Sequence, residues 1–142
     1  MKKCNDVMTE NLVYSSPEDT VSHVAQLMKK EDIGPVLLVD NEDSKRLVGI
    51  VTDRDLALKV VAEGRDPQTT KVEEVMTRKL ITCRPDDDVE SAMKAMAQYQ
   101  LRRIPVVDND DKLVGIISQA DVATRVDEPE KTAEVVKEIS ES

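Results

Sequence analysis

Apolar positions recur along this chain with the same succession of spacings twice over. Val21, Val24, Ala25 and Met28 stand at i, i+3, i+4 and i+7, the stripe of an amphipathic helix, and Val89, Ala92, Met93 and Met96 repeat it 68 residues later. Each stripe opens behind a polar turn, Pro17-Glu18-Asp19-Thr20 or Pro85-Asp86-Asp87-Asp88, that offers capping oxygens and negative charge to the first helical turn. A short apolar run ending in Asp follows in the same register: Val36-Leu37-Leu38-Val39-Asp40, then Ile104-Pro105-Val106-Val107-Asp108. After a polar stretch, Leu47-Val48-Gly49-Ile50-Val51 matches Leu113-Val114-Gly115-Ile116-Ile117 at a shift of 66. The second hairpin loop is therefore two residues shorter, and length variation of this kind belongs in an exposed connection. These runs are rich in β-branched residues without strict alternation, which predicts strands covered on both faces.

The repeat extends in both directions. Val7-Met8-Thr9 returns as Val75-Met76-Thr77, and a short strand is predicted before each helix, over residues 12–15 and 80–83. Each copy closes on a helix opened by a polar turn, Thr52-Asp53-Arg54-Asp55 or Ser118-Gln119-Ala120-Asp121, with Leu56, Val60 and Val61 as the apolar side in the first copy. Each unit thus reads β-α-β-β-α, which sets the fold class as α/β (α+β). The boundaries fall at residues 1–66 and 67–127, joined through the breaker-rich Gly64-Arg65-Asp66-Pro67, with a helical tail over 128–142.

Composition narrows the function. There is no Phe or Trp, and Tyr14 and Tyr99 are the only aromatics, so the core is aliphatic and stacking platforms for single-stranded nucleic acid are missing. A net charge of −9 spread along 142 residues opposes a polyanion but leaves room for a small phosphate ligand held by two or three local cations. Cys4 and Cys83 form no CxxC and His23 is the single histidine, so no zinc site is expected. The cysteines read as unpaired packing residues of a reducing compartment, and His23, between the apolar positions of its helix, reads as solvated. Met1-Lys2-Lys3 is followed by Cys4-Asn5-Asp6 where a signal peptide needs its apolar segment, and no run is long enough to span a bilayer. A cytoplasmic location is expected.

The ordered series of Val-Met-Thr, strand, Pro-Asp-Asp, amphipathic helix, Ile-Pro-Val-Val-Asp and Leu-Val-Gly-Ile-Ile-Ser, matched in both halves over roughly residues 5–126, resembles the CBS domain. The resemblance implies two motifs packed through their sheets with pseudo-two-fold symmetry, and association of two such modules. It also implies a regulatory, non-catalytic role with no obligatory cofactor: an adenosine-type ligand (AMP, ADP, ATP or S-adenosylmethionine) binds in clefts between paired motifs, and an unknown downstream protein reads the change. The alternative is a ligand-free dimerising scaffold. The family's signature, Gly, apolar, any, Thr or Ser, two of any kind and Asp, stands complete as Gly49 to Asp55 and as Gly115 to Asp121.

That spacing has its own chemistry. A strand ending in a hydroxyl at a helix start presents Thr52 or Ser118 and free backbone N–H groups to an anion, and one turn later Asp55 or Asp121 can accept from two ribose hydroxyls. Equally, these groups can do no more than cap the helix. An apolar slot for adenine is expected from Val13-Tyr14 with Pro35-Val36 and from Ile81-Thr82 with Ile104-Pro105, the prolines suiting the start of a strand. Arg102-Arg103 stands where the first copy has Gly34-Pro35, so the second site is expected to hold phosphate better, with Arg54 compensating in part; the pair also reads as a solvated loop feature. Asp108-Asn109-Asp110-Asp111 starts like a calcium loop but lacks the later Gly and Glu and reads as a hairpin turn. No nucleophile with its base, phosphate-cradling glycine loop or metal cluster supports an enzyme. The stripes Val21/Val24/Met28 and Ala92/Met93/Met96 are expected to extend beyond one module and form a homodimer contact.

Overall fold

The structure is a computed structural model that describes residues 2–118 and 120–122. The tail expected over 128–142, and the second copy's last helix beyond Val122, lie outside the described residues. The class is α+β. In space the described residues divide into one compact unit of Val13–Leu80 and another that joins residues up to Leu12 with those from Ile81 to Val122.

The Val13–Leu80 unit is built on a three-stranded sheet of β1 (Tyr14–Ser15), β2 (Val36–Val39) and β3 (Leu47–Val51), with β1 parallel and β3 antiparallel to the central strand. Helix α2 (Val21–Glu31) carries the first stripe. Its N-cap Thr20 accepts the N–H of His23 at 3.1 Å, its last turn holds Lys29 and Lys30, and Asp32 ends it in the left-handed conformation at φ 54°. Val21, Val24 and Met28 join Val36, Leu38, Val51, Leu56, Val60, Val72, Val75 and Met76 in one buried cluster. Ala25 is exposed, so the stripe is narrower than its spacing suggested. Helix α3 (Asp53–Leu56) runs into a π-helical segment, Ala57–Val61, and Val72–Glu74 forms a 3-10 turn. Val61, expected on the apolar side, is 76% exposed; the wider π turn rotates it away from the cluster while Val60 stays in it.

The other unit repeats these pieces. Short helix α1 (Cys4–Val7) precedes α4 (Val89–Tyr99), which ends at Gln100 with φ 56°, and β4 (Arg103–Val107) pairs antiparallel with β5 (Leu113–Ser118). Asp88 sits at the N-cap but its carboxylate binds Lys3 Nζ at 2.7 Å and makes no cap, unlike Thr20. Val89, Ala92, Met93 and Met96 are buried with Cys4, Val7, Cys83, Ile104, Val106 and Ile117. Each fully buried side chain of this size contributes about 1.5–3 kcal/mol. The stripes are thus spent inside their own units, and the expectation that they supply a dimer contact is corrected.

Both hairpins slip register at the same place, leaving Val48 and Val114 as the extra residues of a bulge. Burial is continuous in β2 and, after Arg103, in β4, but alternates in β5, so β2 and β4 have both faces covered as expected and β5 does not. The loops close on Asp40, which accepts the N–H of Arg46 at 3.0 Å, and on Asp108, which accepts Asp110 and Lys112 at 2.9 and 3.0 Å. The acidic run is a hairpin turn.

The boundary expected at residues 66 and 67 is not the boundary in space, because each Val-Met-Thr segment packs with the opposite copy's hairpin. Thr9 and Ile116 exchange backbone hydrogen bonds at 2.8 and 3.0 Å, and Thr77 and Ile50 do the same at 2.8 and 3.0 Å. Met8 lies over Gly115 so closely that a Cβ there would stand 2.4 Å from its sulfur, and Met76 lies over Gly49 at 2.7 Å. The signature glycine is therefore a packing position: its missing side chain is the seat of a methionine.

Candidate functional site

Strand ends and helix starts assemble the candidate groups. In the Val13–Leu80 unit, Thr52 leaves β3 and caps α3 by a reciprocal box: its Oγ1 accepts the N–H of Asp55 at 3.2 Å, and Asp55 Oδ2 accepts the N–H of Thr52 at 2.9 Å. The second carboxylate oxygen meets Lys59 Nζ at 3.2 Å, and this ammonium also reaches the carbonyl of Val75 at 3.1 Å. In the other unit Asp121, 8% exposed, accepts both the N–H and the hydroxyl of Ser118 at 3.0 Å, while its own N–H returns to Ser118 Oγ at 3.2 Å. Its Oδ1 accepts the hydroxyl of Thr9 at 3.1 Å. Helix capping is thus what both pairs do in this structure. A carboxylate oxygen has more than one acceptor direction, so the box leaves acceptor capacity on Asp55.

Thr9 escaped the sequence reading as a site residue. Its signal was the repeated Val-Met-Thr, but the second copy's Thr77 is exposed and Lys59, not a threonine, neutralises Asp55. Asp53 escaped as well. Its carboxylate oxygens stand 3.2 and 3.3 Å from where a Cβ on Gly34 would be, and its N–H donates to the Gly34 carbonyl at 3.2 Å. The first site therefore presents an acid beside the position at which the second copy carries Arg102.

Arg103 opens β4 directly opposite Ser118 in the ladder, so the two side chains lie on one face as neighbours. Arg102 and Arg103 are exposed, and among the described residues neither forms an ion pair. Arg54 is also exposed, on the first turn of α3. Thr82 is exposed next to Cys83, and Pro35 is half-buried before β2.

Three of the adenine-slot assignments change. Val36 and Ile104 are fully buried in their cores, opposite Val51 and Ile117, so their side chains are structural and only their backbone can meet a ligand. Pro105 lies inside β4, opposite Ile116, not at a strand start. Lacking an N–H, it shortens the neighbouring ladder: the parallel contact is the single bridge Cys83 to Val106, where Leu37 lets β1 pair at two positions. Tyr14 is half-buried with Lys45 Nζ 5.6 Å from the centre of its ring, a cation–π contact.

This geometry is that of a known family. The CBS domain model matches residues 4–62 and 72–128, and the chain belongs to the CBS domain family. It is 38% identical over 140 residues to the CBS domain-containing protein YhcV of Bacillus subtilis, covering 99% of this chain and 96% of that one. Among solved structures it is similar to Hypoxic Response Protein I with two coordinated zinc ions, at TM-score 0.78 and 30% identity over 88% of this chain and 99% of that one. It is also similar to the CBS domain pair of protein MJ0100 in complex with 5'-methylthioadenosine and S-adenosyl-L-methionine, at TM-score 0.72 and 27% identity over 87% and 94%. Among the described residues no three His, Cys, Asp or Glu side chains are grouped to hold a metal ion, and no helix is long and apolar enough to cross a membrane.

Proposed function

We propose that this chain is a cytoplasmic, non-catalytic regulatory module that binds an adenosine-type ligand, with no obligatory cofactor, and transmits its occupancy to a partner protein. The observation that carries the reading is the juxtaposition at the end of the β4–β5 hairpin. Arg103 stands opposite Ser118, and Ser118 is held to Asp121, so a phosphate-binding cation, a hydroxyl at a helix start and a ribose-accepting carboxylate share one edge. Arg102 adds charge, the backbone of Ile104 follows Arg103 at the start of β4 with Pro105 one residue further in, and Thr82 precedes Cys83, which bridges Val106. That the MJ0100 pair is described in complex with methylthioadenosine and S-adenosylmethionine supports the ligand class. The Thr52, Arg54 and Asp55 site, with Tyr14, Pro35 and Val36 around it, is the weaker one for phosphate, because Asp53 lies against Gly34.

The capping boxes favour a second reading, in which both pairs are structural and the chain is a scaffold. A thermal-shift screen against AMP, ADP, ATP, S-adenosylmethionine and NAD separates the two, since a ligand at a hundred times its Kd adds about 2.7 kcal/mol to the folded state. No shift at millimolar concentration supports the scaffold. Either reading includes a homodimer, now resting on Leu58 and Val61, 51% and 76% exposed in the same π-helical segment. A strict monomer by light scattering removes it.

A further inference from the structure

A cavity of about 250 Å³ opens in the Val13–Leu80 unit at the end of the β2–β3 hairpin opposite to Thr52 and Asp55. Glu18, Asp40 and Glu73 line it with a single cation, Arg78, and Val48 and Met76 supply an apolar wall. These charges do not cancel one another. Among the described residues Glu18, Glu73 and Arg78 form no ion pair and no side-chain hydrogen bond. Asp40 Oδ1 accepts the N–H groups of Asn41 and Arg46 at 2.7 and 3.0 Å and the Ser44 hydroxyl, while its Oδ2 and its backbone carbonyl meet no donor among the described residues.

The other copy of the repeat shows which chemistry suits this place. Ser16 is matched 68 residues later by Arg84, in register with Pro17 and Pro85, and Asp40 is matched by Asp108. The Arg84 guanidinium donates to the Asp108 carbonyl and stands 3.9 Å from the Asp111 carboxylate. There the chain binds the hairpin end with its own guanidinium, whereas the short Ser16 side chain leaves the matching Asp40 carbonyl open. Arg78 in turn is matched by Glu10. The copy without an internal guanidinium is thus the one that carries a cation able to meet a ligand's carboxylate.

We propose that this cavity binds a basic α-amino acid of the arginine type, its guanidinium taking the place at Asp40 that the Arg84 side chain takes at Asp108, and its carboxylate meeting Arg78. Glu18 and Glu73 receive the α-ammonium, and Val48 and Met76 border the methylene stem. Three carboxylates against one guanidinium select a ligand of net positive charge and repel an acidic amino acid. The volume lies below the about 300–1,000 Å³ of sites for drug-sized ligands, as suits a single amino acid. The site is independent of the adenosine-type reading, which uses the other end of the hairpin.

Titration calorimetry of the full-length chain with L-arginine should show saturable binding at one site per chain. L-Citrulline, its uncharged isostere, and L-glutamate should give none. Agmatine, which lacks the carboxylate, should bind roughly tenfold more weakly than arginine, the lower end for hydrogen bonds to charged groups because the site is open to solvent. Arg78→Gln should lower the arginine affinity to that of agmatine and leave agmatine unchanged, and Glu73→Gln should weaken both. Ser16→Arg, which supplies the second copy's side chain, should abolish binding with an unchanged circular dichroism spectrum; if it fails to fold, the Arg78→Gln comparison still decides. Heats that do not saturate, citrulline or glutamate binding as well as arginine, or an arginine affinity indifferent to Arg78→Gln overturns the site. Full binding by a folded Ser16→Arg chain overturns the match to Arg84.

Discussion

Replacing Gly115 by Ala tests the arrangement on which both sites depend. The added Cβ would stand 2.4 Å from Met8 Sδ, 2.8 Å from its Cγ and 3.0 Å from its Cβ. The last contact is to the root of the side chain, so a change of rotamer at the methionine tip does not relieve it. Overpacking of this kind costs about 1–3 kcal/mol, and the lower entropy of the unfolded alanine chain offsets about 0.4–1 kcal/mol. A net loss of about 1–2 kcal/mol follows, and most of it should vanish once Met8 is also Ala, which removes the Sδ and Cγ contacts and leaves the 3.0 Å one to Cβ. The Met8→Ala/Gly115→Ala pair should therefore couple by about 1–2 kcal/mol, whereas Met8→Ala/Gly49→Ala should add within about 0.5 kcal/mol. Thermal melts followed by far-ultraviolet circular dichroism at one protein concentration suit a chain without Trp. Coupling of Met8 to Gly49 instead of Gly115 would refute the exchange of Val-Met-Thr segments.

Three further outcomes are expected. Asp121→Ala should weaken the tighter adenine-nucleotide phase by roughly ten- to a hundredfold by titration calorimetry, from about 1.5–3 kcal/mol for hydrogen bonds to a charged acceptor, while Asp55→Ala leaves that phase nearly unchanged; the reverse ordering reassigns the Arg pair to the surface. Thr9→Val should remove the 3.1 Å bond to the Asp121 carboxylate and cost about 1.5–3 kcal/mol in denaturant unfolding, and no loss would show that bond to be idle. Burial raises the Asp19 carboxyl, but hydrogen bonds from the Ser15 hydroxyl and the Ser16 N–H outweigh it and the net shift is downward. With a depressed folded value, its stabilisation is complete above the unfolded value near pH ~4 and is lost as pH falls through the folded one, so Asp19→Asn should flatten the acid limb of Tm against pH. An unchanged limb would contradict this.

The repeat, its two eleven-residue helices, the hairpins with their two-residue difference in loop length and the doubled signature were all legible in the sequence, because each is written in local period and spacing. Side-chain direction was less so: Ala25 and Val61 sit on predicted apolar faces yet are exposed, and Val36 and Ile104 belong to the core where a ligand slot was expected. The pairing of segments was not legible at all. Val7-Met8-Thr9 and Val75-Met76-Thr77 are the same three residues, and Gly49 and Gly115 offer them the same seat, so local chemistry cannot choose between packing within a copy and packing across copies. Only the path of the folded chain chooses. The same choice sets Thr9 against Asp121 and places Cys4 in the cluster that holds Cys83; packed within its own copy, Cys4 would belong to the unit of Ser15, the residue that occupies the place of Cys83 in the first repeat.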